Sequence, residues 1–208
     1  MRYDWIKHEG GDKLTVFMLG WGADGNMLQD YTASDDSDLI CFFDYHDTNF
    51  PEGLLQEIES YSHRQLIAWS FGVWAAEKVF AKVDFERATA INGTTLPVDE
   101  AYGISPRNFE LTVRGIERAG NQKFIERMCT GRIGAYNLHP SQRSIEDISS
   151  ELRTLAELFS TPYAENIRWD QAVIGGRDLI FPPGAQQKYW QSQGVPYTLV
   201  EDMPHYFR

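Results

Sequence analysis

Hydrophobic and polar residues follow two different patterns along this chain. Near both ends, short apolar runs alternate with segments whose apolar residues recur every three or four positions, which is typical of strands and helices in turn. The runs LTVFML at 14–19 and DLICFF at 38–43 are apolar almost throughout, as expected of parallel strands covered on both faces. Strands are predicted at residues 2–8, 14–19, 38–43, 65–68, 87–92, 170–175 and 196–200, and helices at 53–61, 70–82 and 184–193.

The middle of the chain, residues 94–161, has no strand pattern. Its three helical segments begin at Ser105-Pro106 or span 121–129 and 144–159. The last opens with Ser144 and Asp147, spaced as in a helix cap. The sequence therefore predicts one α/β domain with a mostly parallel central sheet flanked by helices, formed by residues 1–93 and 162–208, and a helical lid inserted at 94–161.

Composition narrows the class of protein. Of the 208 residues, 42% are hydrophobic and 13% aromatic, which is ordinary for a globular protein. No apolar run approaches the ~18 residues of a membrane-spanning helix, and the start, MRYDWIKHEGGDK, lacks the features of a secretory signal. We therefore expect a cytoplasmic protein that does not contact a membrane. Cys41 and Cys129 are expected to be reduced, buried thiols.

The net charge of −11 argues against nucleic acid as a partner, because phosphate binding needs a basic surface. Residues 105–143 nevertheless carry a local balance of +4, so the remainder carries −15. Such a block can steer an acidic partner onto one face, or it can be an ordinary solvated helical surface. Its basic residues are Arg107, Arg114, Arg118, Lys123, Arg127, Arg132 and Arg143.

The stretch AWSFG at 68–72 lies where a predicted strand meets a predicted helix. A nucleophilic serine at such a junction needs a tight turn, so the residues two before and two after it must be small. Gly72 meets this condition, whereas Ala68 replaces the usual first glycine and crowds the turn. Ser70 is thus either a nucleophile or a serine that caps the helix.

Two residues far along the chain favour the nucleophile. Asp178 follows the predicted strand 170–175, and His205 follows the strand 196–200. An acid after a late strand and a histidine after the last strand complete the order Ser, Asp, His that α/β hydrolases use. An aspartate in a turn and a surface histidine are each common by themselves, but together the three residues predict an α/β-hydrolase fold with a Ser70-His205-Asp178 triad.

An acyl-transfer site also needs N–H donors for the oxyanion. The expected donors are the backbone amides of Phe71, which follows the nucleophile, and of Trp21, which lies between two glycines after an early strand. Trp21 can alternatively be a packed aromatic in a turn. The polar residues Asp44, His46 and Asp47 follow another strand, but a mixed polar loop is the simpler interpretation, so no metal or cofactor is predicted.

These features together resemble one known family. GWG after the first buried strand, the elbow WSFGVW at 69–74, the short helical lid and PHYF at 204–207 are similar to the BioG-type pimeloyl-ACP methyl ester esterases, formerly a family of unknown function. The resemblance covers essentially the whole chain. It implies an α/β hydrolase that removes the methyl group from pimeloyl-ACP methyl ester during synthesis of the biotin precursor.

The resemblance also gives the basic block a role. Acyl carrier proteins are acidic, and it implies that lid arginines contact the carrier; the candidates are Arg114, Arg118, Arg127 and Arg132. The apolar stripe of the helix 144–159 then either faces the acyl chain or packs in the core. Three alternatives stay open: a carboxylesterase for small esters, an acyl-ACP thioesterase, and a hydrolase-like protein that only binds a ligand.

Overall fold

A computed structural model describes residues 1–31, 36–49, 51–159 and 167–208. Seven strands form one sheet in the order β1-β3-β2-β4-β5-β6-β7. β1 is an edge strand antiparallel to β3, and every other pairing is parallel. The strands are β1 Arg2–Lys7, β2 Lys13–Met18, β3 Ser37–Phe43, β4 His63–Trp69, β5 Arg87–Ile91, β6 Gln171–Gly175 and β7 Tyr197–Val200.

Helices cover the sheet. β3 is buried at every position, because its apolar residues point to both faces and each face is covered. A 3₁₀ turn at Gly25–Leu28 follows β2. The helices are α1 Leu54–Ser60, α2 Phe71–Val79, α3 Pro106–Ala119, α4 Gln122–Cys129, α5 Ile133–Leu138, α6 Ile145–Leu158 and α7 Pro183–Ser192.

The predicted sheet is confirmed, since all seven strands lie where the hydrophobic pattern indicates, with ends shifted by no more than two residues. The prediction for α2 was too long: the helix ends at Val79, and Phe80 and Val83 turn into the core. The short helix α5 and the 3₁₀ turn were not predicted. α5 is a six-residue segment that no side chain caps at its start, so no local signal marks it.

The segment between β5 and β6 contains α3 to α6 and, among its described residues, no strand. Its last helix is part of the core, because Ile148, Leu152 and Leu155 are buried in the main hydrophobic cluster. Residues 160–161 of the predicted lid lie outside the described residues. Among the helices that are described, none is long and apolar enough to cross a membrane.

Candidate active site

Ser70 lies on a strained turn between β4 and α2. Its φ of 58° and ψ of −127° are unusual for a residue with a side chain, and its N–H donates to the carbonyl of Ile91 at 2.9 Å. The turn has no room for a side chain at Gly72, where a Cβ would lie 2.3 Å from the Met18 carbonyl oxygen. Ala68 is fully buried, so its methyl group is accommodated. The Ser70 hydroxyl makes no helix-capping bond.

The three residues predicted as a triad lie in one chain of hydrogen bonds. The Ser70 Oγ is 2.9 Å from His205 Nε2, and His205 Nδ1 is 2.8 Å from Asp178 Oδ2. All three residues are at most 5% exposed. The other Asp178 oxygen accepts the N–H groups of Ile180 and Phe181 at 2.8 and 2.7 Å, which fixes the carboxylate. The imidazole therefore has a hydrogen-bond partner at each nitrogen.

Two further side chains hold the backbone of His205. The sequence analysis named Trp69 only as part of the elbow motif, without this role, and did not point to Asn92. Its carbonyl oxygen accepts Trp69 Nε1 and Asn92 Nδ2, both at 2.9 Å. Asn92 also accepts the N–H of Gly175 at 2.7 Å, so it ties the ends of β5 and β6 to the histidine loop. An Asn-Gly pair just after a strand is the available signal, because asparagine tolerates the positive φ of 48° found here.

Ser70 opens into a cavity of about 720 Å³. We define the floor of the cavity as Gly20, Trp21, Ser70, Phe71 and His205. Phe71 is the first residue of α2, so its N–H lies at the positive end of a helix. The walls above the floor are largely apolar and include Phe109, Phe124 and Leu152. One residue of the α6 stripe thus faces the cavity, while Leu155 packs in the core.

The opening of the cavity carries cations beside exposed leucines. We define the mouth of the cavity as Leu111, Arg114, Arg118, Lys123 and Leu179. Leu111 and Leu179 are 57% and 52% exposed. Arg114 pairs with Glu110 at 2.5 Å. For Arg118 and Lys123, the described part of the chain offers neither a hydrogen bond nor an ion pair.

Other residues of the basic block have structural contacts. Arg127 lines the cavity and donates to the Leu179 carbonyl at 2.8 Å, and Arg132 donates to the Asp202 carbonyl at 3.2 Å. Both bonds join the helical block, by which we mean the helices α3 to α6 between β5 and β6, to the loops that carry Asp178 or His205. The count of basic residues overstated the surface charge, because the Arg143 side chain is 3% exposed and pairs with buried acids.

Asp44, His46 and Asp147 bring possible metal ligands within 4.8 Å of one another, and the sequence had placed the first two in a polar loop. Guanidinium groups already occupy this cluster. Arg2 pairs with Asp44 at 2.5 Å and with Asp147 at 2.6 Å, and Arg143 pairs with Asp147 at 2.9 Å. We assign no metal site to it. The third residue that the sequence singled out there, Asp47, binds the amino terminus instead.

The two cysteines are free and buried, as expected from the sequence. Burial raises the pKa of the Cys41 thiol to about 12 and that of Cys129 to about 11. Neither thiol is a nucleophile at neutral pH, because the reactive form is the thiolate.

Solved structures of hydrolases share this fold. The enol-lactonase from Burkholderia xenovorans superimposes with a TM-score of 0.65 over 96% of this chain and 87% of its own, at 14% identity. Naproxen esterase from Bacillus subtilis superimposes with a TM-score of 0.61 over 99% of this chain and 81% of its own, at 15% identity. Identities this low establish the fold alone, and the fold is that of the α/β hydrolases.

Within that class, the chain belongs to the BioG family, described as "Pimeloyl-ACP methyl esterase BioG", which matches residues 1–206. The crystal structure of selenomethionine-labelled BioG from Haemophilus influenzae superimposes with a TM-score of 0.89 over 99% of this chain and 94% of its own, at 30% identity. A malonyl-[acyl-carrier protein] O-methyltransferase from Bacteroides fragilis is 35% identical over 85% of this chain, which spans 36% of that longer protein. The protein is therefore a carboxylic ester hydrolase.

Proposed function

We propose that this protein hydrolyses pimeloyl-ACP methyl ester to pimeloyl-ACP and methanol, with Ser70 as nucleophile, His205 as general base and Asp178 as the orienting acid. The observation that carries the proposal is the hydrogen-bonded series from Ser70 Oγ to Asp178, at 2.9 and 2.8 Å, at the floor of a largely apolar cavity with cations at its mouth. Such a cavity suits an apolar acyl chain attached to an anionic carrier.

The comparisons support the choice of substrate. The family is named for pimeloyl-ACP methyl ester. In addition, a stretch similar to this chain makes up about a third of a Bacteroides protein named for methylating malonyl-ACP. The methyl ester of a carrier-bound acid is the product of such a methyltransferase, so the presence of a stretch similar to this chain in that protein favours a carrier-bound methyl ester as the substrate here.

The first half of the proposed reaction forms an acyl-enzyme. His205 Nε2 accepts the proton of Ser70 as its oxygen attacks the ester carbonyl, and Asp178 holds the imidazole in the tautomer that can accept it. The carbonyl oxygen becomes an oxyanion, which the amides of Trp21 and Phe71 stabilise by about 3 kcal/mol each. The intermediate collapses, His205 returns the proton to the methoxide, and methanol leaves.

The second half repeats these steps with water. His205 takes a proton from a water molecule, the hydroxide attacks the acyl-Ser70 carbonyl, and the same two amides stabilise the second oxyanion. The serine leaves with the proton from His205, and the acyl chain is released as a free carboxylate. The carrier thioester is not touched in either half.

The helical block supplies the proposed carrier surface. We propose that residues 94–161 form a lid above the floor and that Arg114, Arg118, Arg127 and Arg132 contact the acidic carrier protein. Arg114, Arg118 and Arg127 line the cavity. Arg132 directly precedes α5, does not line the cavity and donates to the Asp202 carbonyl, so it is the weakest of the four candidates. A carrier-bound substrate would place the reaction in the cytoplasm, where the carrier is loaded.

Replacing Ser70 with alanine tests the nucleophile. We expect Ser70→Ala to lower kcat roughly 10⁵-fold, to abolish labelling by a fluorophosphonate and to leave carrier-protein binding intact. Ser60→Ala, which removes an exposed hydroxyl on α1, is the matched control and should behave like the unmodified protein. Turnover by Ser70→Ala at the normal rate would refute the assignment.

The substrate needs a separate experiment. Methyl pimelate is offered free and bound to acyl carrier protein, and both methanol and free carrier thiol are measured. We expect methanol release with a kcat/KM that is higher for the carrier-bound ester. Release of thiol would identify a thioesterase, and equal rates on both esters would identify a general carboxylesterase without a carrier requirement.

A further inference from the structure

The carboxylate of Glu151, on α6, is fully buried and takes no part in the steps above. A buried charge is costly unless it is paired and hydrogen-bonded. Glu151 has three donors: Arg143 Nη1 at 2.7 Å, the Tyr45 N–H at 2.8 Å and the Gly22 N–H at 3.3 Å. Burial raises the pKa of Glu151, and Arg143 and the Tyr45 amide act against that rise. An ionised carboxylate accepts from all three donors.

The Gly22 contact reaches the loop that carries the proposed oxyanion donor. The Ala23 N–H donates to the Gly20 carbonyl at 3.3 Å and Gly22 has a φ of +72°, as in a type II turn with Trp21 in its second position. Glu151 accepts the amide that follows Trp21. The Trp21 indole in turn donates to the Ile148 carbonyl of α6 at 2.7 Å. α6 therefore holds this residue through its side chain and through the next peptide group.

Glu151 is also connected to the start of this loop, through Tyr45. The second Glu151 oxygen accepts the Tyr45 N–H, and the Tyr45 hydroxyl donates to the Leu19 carbonyl at 2.6 Å. Leu19 directly precedes Gly20. The carboxylate thus contacts one end of the segment that carries the Trp21 amide directly, at Gly22, and is linked to the other end, at Leu19, through Tyr45.

We propose that Glu151 is a positioning residue that holds the Trp21 amide in the geometry required of an oxyanion donor. The inference rests on the proposed function, because it assumes that Ser70 attacks the ester and that Trp21 binds the resulting oxyanion. Since the donor acts only when the oxyanion forms, its displacement lowers kcat and leaves KM nearly unchanged. A shift of about 1 Å in a reacting group can cost about 100-fold in rate.

The test replaces Glu151 with glutamine, which keeps the shape and removes one acceptor. Whichever way the amide is oriented, its NH₂ group faces an N–H donor of Gly22 or Tyr45. With free dimethyl pimelate as substrate, we expect Glu151→Gln to lower kcat about 20-fold and to change KM less than about twofold. Inhibition by an alkyl boronic acid, which forms a tetrahedral adduct with a serine, should weaken by a similar factor.

Asp147→Asn is the matched control. It makes the same carboxylate-to-amide change and also disturbs an ion pair of Arg143, because Asp147 contacts Arg2 and Arg143, but Asp147 has no contact with the Gly20–Ala23 turn among the described residues. Its kcat should stay within about twofold of that of the unmodified protein. Equal losses of kcat in both variants, at equal loss of thermal stability, would mean that Glu151 acts through stability and would overturn the inference.

A milder variant keeps the proposal testable if Glu151→Gln does not fold. Tyr45→Phe removes the hydroxyl that holds the Leu19 carbonyl, and we expect a kcat loss of about fivefold with KM retained; full kcat in this variant would contradict the inference. Ser70→Ala distinguishes failure of the proposed function from failure of the positioning role of Glu151. Activity in Ser70→Ala refutes the proposed function, whereas inactivity there with full kcat in Glu151→Gln refutes the positioning role alone.

Discussion

The floor and the mouth of the cavity are built in opposite ways. At the floor, Ser70 and His205 are almost completely buried, and side chains or backbone groups from several strands hold them. At the mouth, Arg118 and Lys123 are exposed and have no partner within the described parts of the chain. A buried hydrogen-bonded group has one geometry, whereas an exposed cation can move to meet a ligand.

The difference separates two tasks. In the proposed function the floor acts on the ester group itself, so changes there should affect free and carrier-bound substrates alike. The proposal assigns to the mouth only contacts with the carrier protein outside the cavity, so changes there should affect the carrier-bound substrate alone. Comparing the two substrates for each variant therefore tells which task a residue serves.

The largest effect in this comparison is expected at the floor, from Asp178→Asn. The asparagine amide can donate to His205 Nδ1 and so favour the wrong tautomer, and we expect kcat to fall about 10⁴-fold on both esters. Asp202→Asn, in the loop before His205, is the control and should keep normal kcat. A loss confined to the carrier-bound ester would break the distinction between floor and mouth.

The floor was predicted from the sequence more completely than the mouth. Strands of a parallel sheet end at one edge, so the chain order of Ser70, Asp178 and His205 was enough to bring them together. Counting charges along the sequence could not predict which basic side chains point to solvent and which point into the protein. It grouped Arg143 with the basic surface, although Arg143 points inward to Glu151.

The residues that support the floor were not predicted at all. Glu151 contacts Gly22, 129 positions away, and no local rule links them. A signal was present in α6, because Glu151 lies on the same face as Ile148 and Leu155 and interrupts an apolar stripe. A charged residue in such a stripe indicates a buried partner, but the partner is known only once the fold is known.

A smaller effect is expected at the mouth, from the double charge reversal Arg118→Glu and Lys123→Glu. Repulsion from an acidic carrier should lower kcat/KM for the carrier-bound ester about 30-fold, while the free ester changes less than about twofold. Because salt screens exposed charges, we expect the carrier-bound rate of the unmodified protein to fall as NaCl is added, and this dependence should be lost in the variant.

The control for this variant is a charge reversal far from the cavity. Arg168 is 91% exposed and precedes β6, at the end of the sheet opposite the site. Arg168→Glu makes a change of the same kind and should leave both substrates unaffected. Arg118→Glu alone is measured beside it. If both single reversals lower the carrier-bound rate equally, the loss comes from the change in net charge and not from the position of Arg118 at the mouth.

The smallest effect concerns the ion pair between Arg143 and Asp147, and we expect it in the free energy of unfolding. The hydrogen bond from Arg143 lowers the pKa of Asp147 in the folded protein. The resulting stabilisation is present above the unfolded-state pKa of about 3.9 and is lost as pH falls through the lower folded-state value. Urea unfolding should therefore show the unmodified protein more stable than Asp147→Asn at pH 6, with the difference shrinking below about pH 4. A difference that stays constant from pH 6 to pH 3 would show that the ionised Asp147 is not its source.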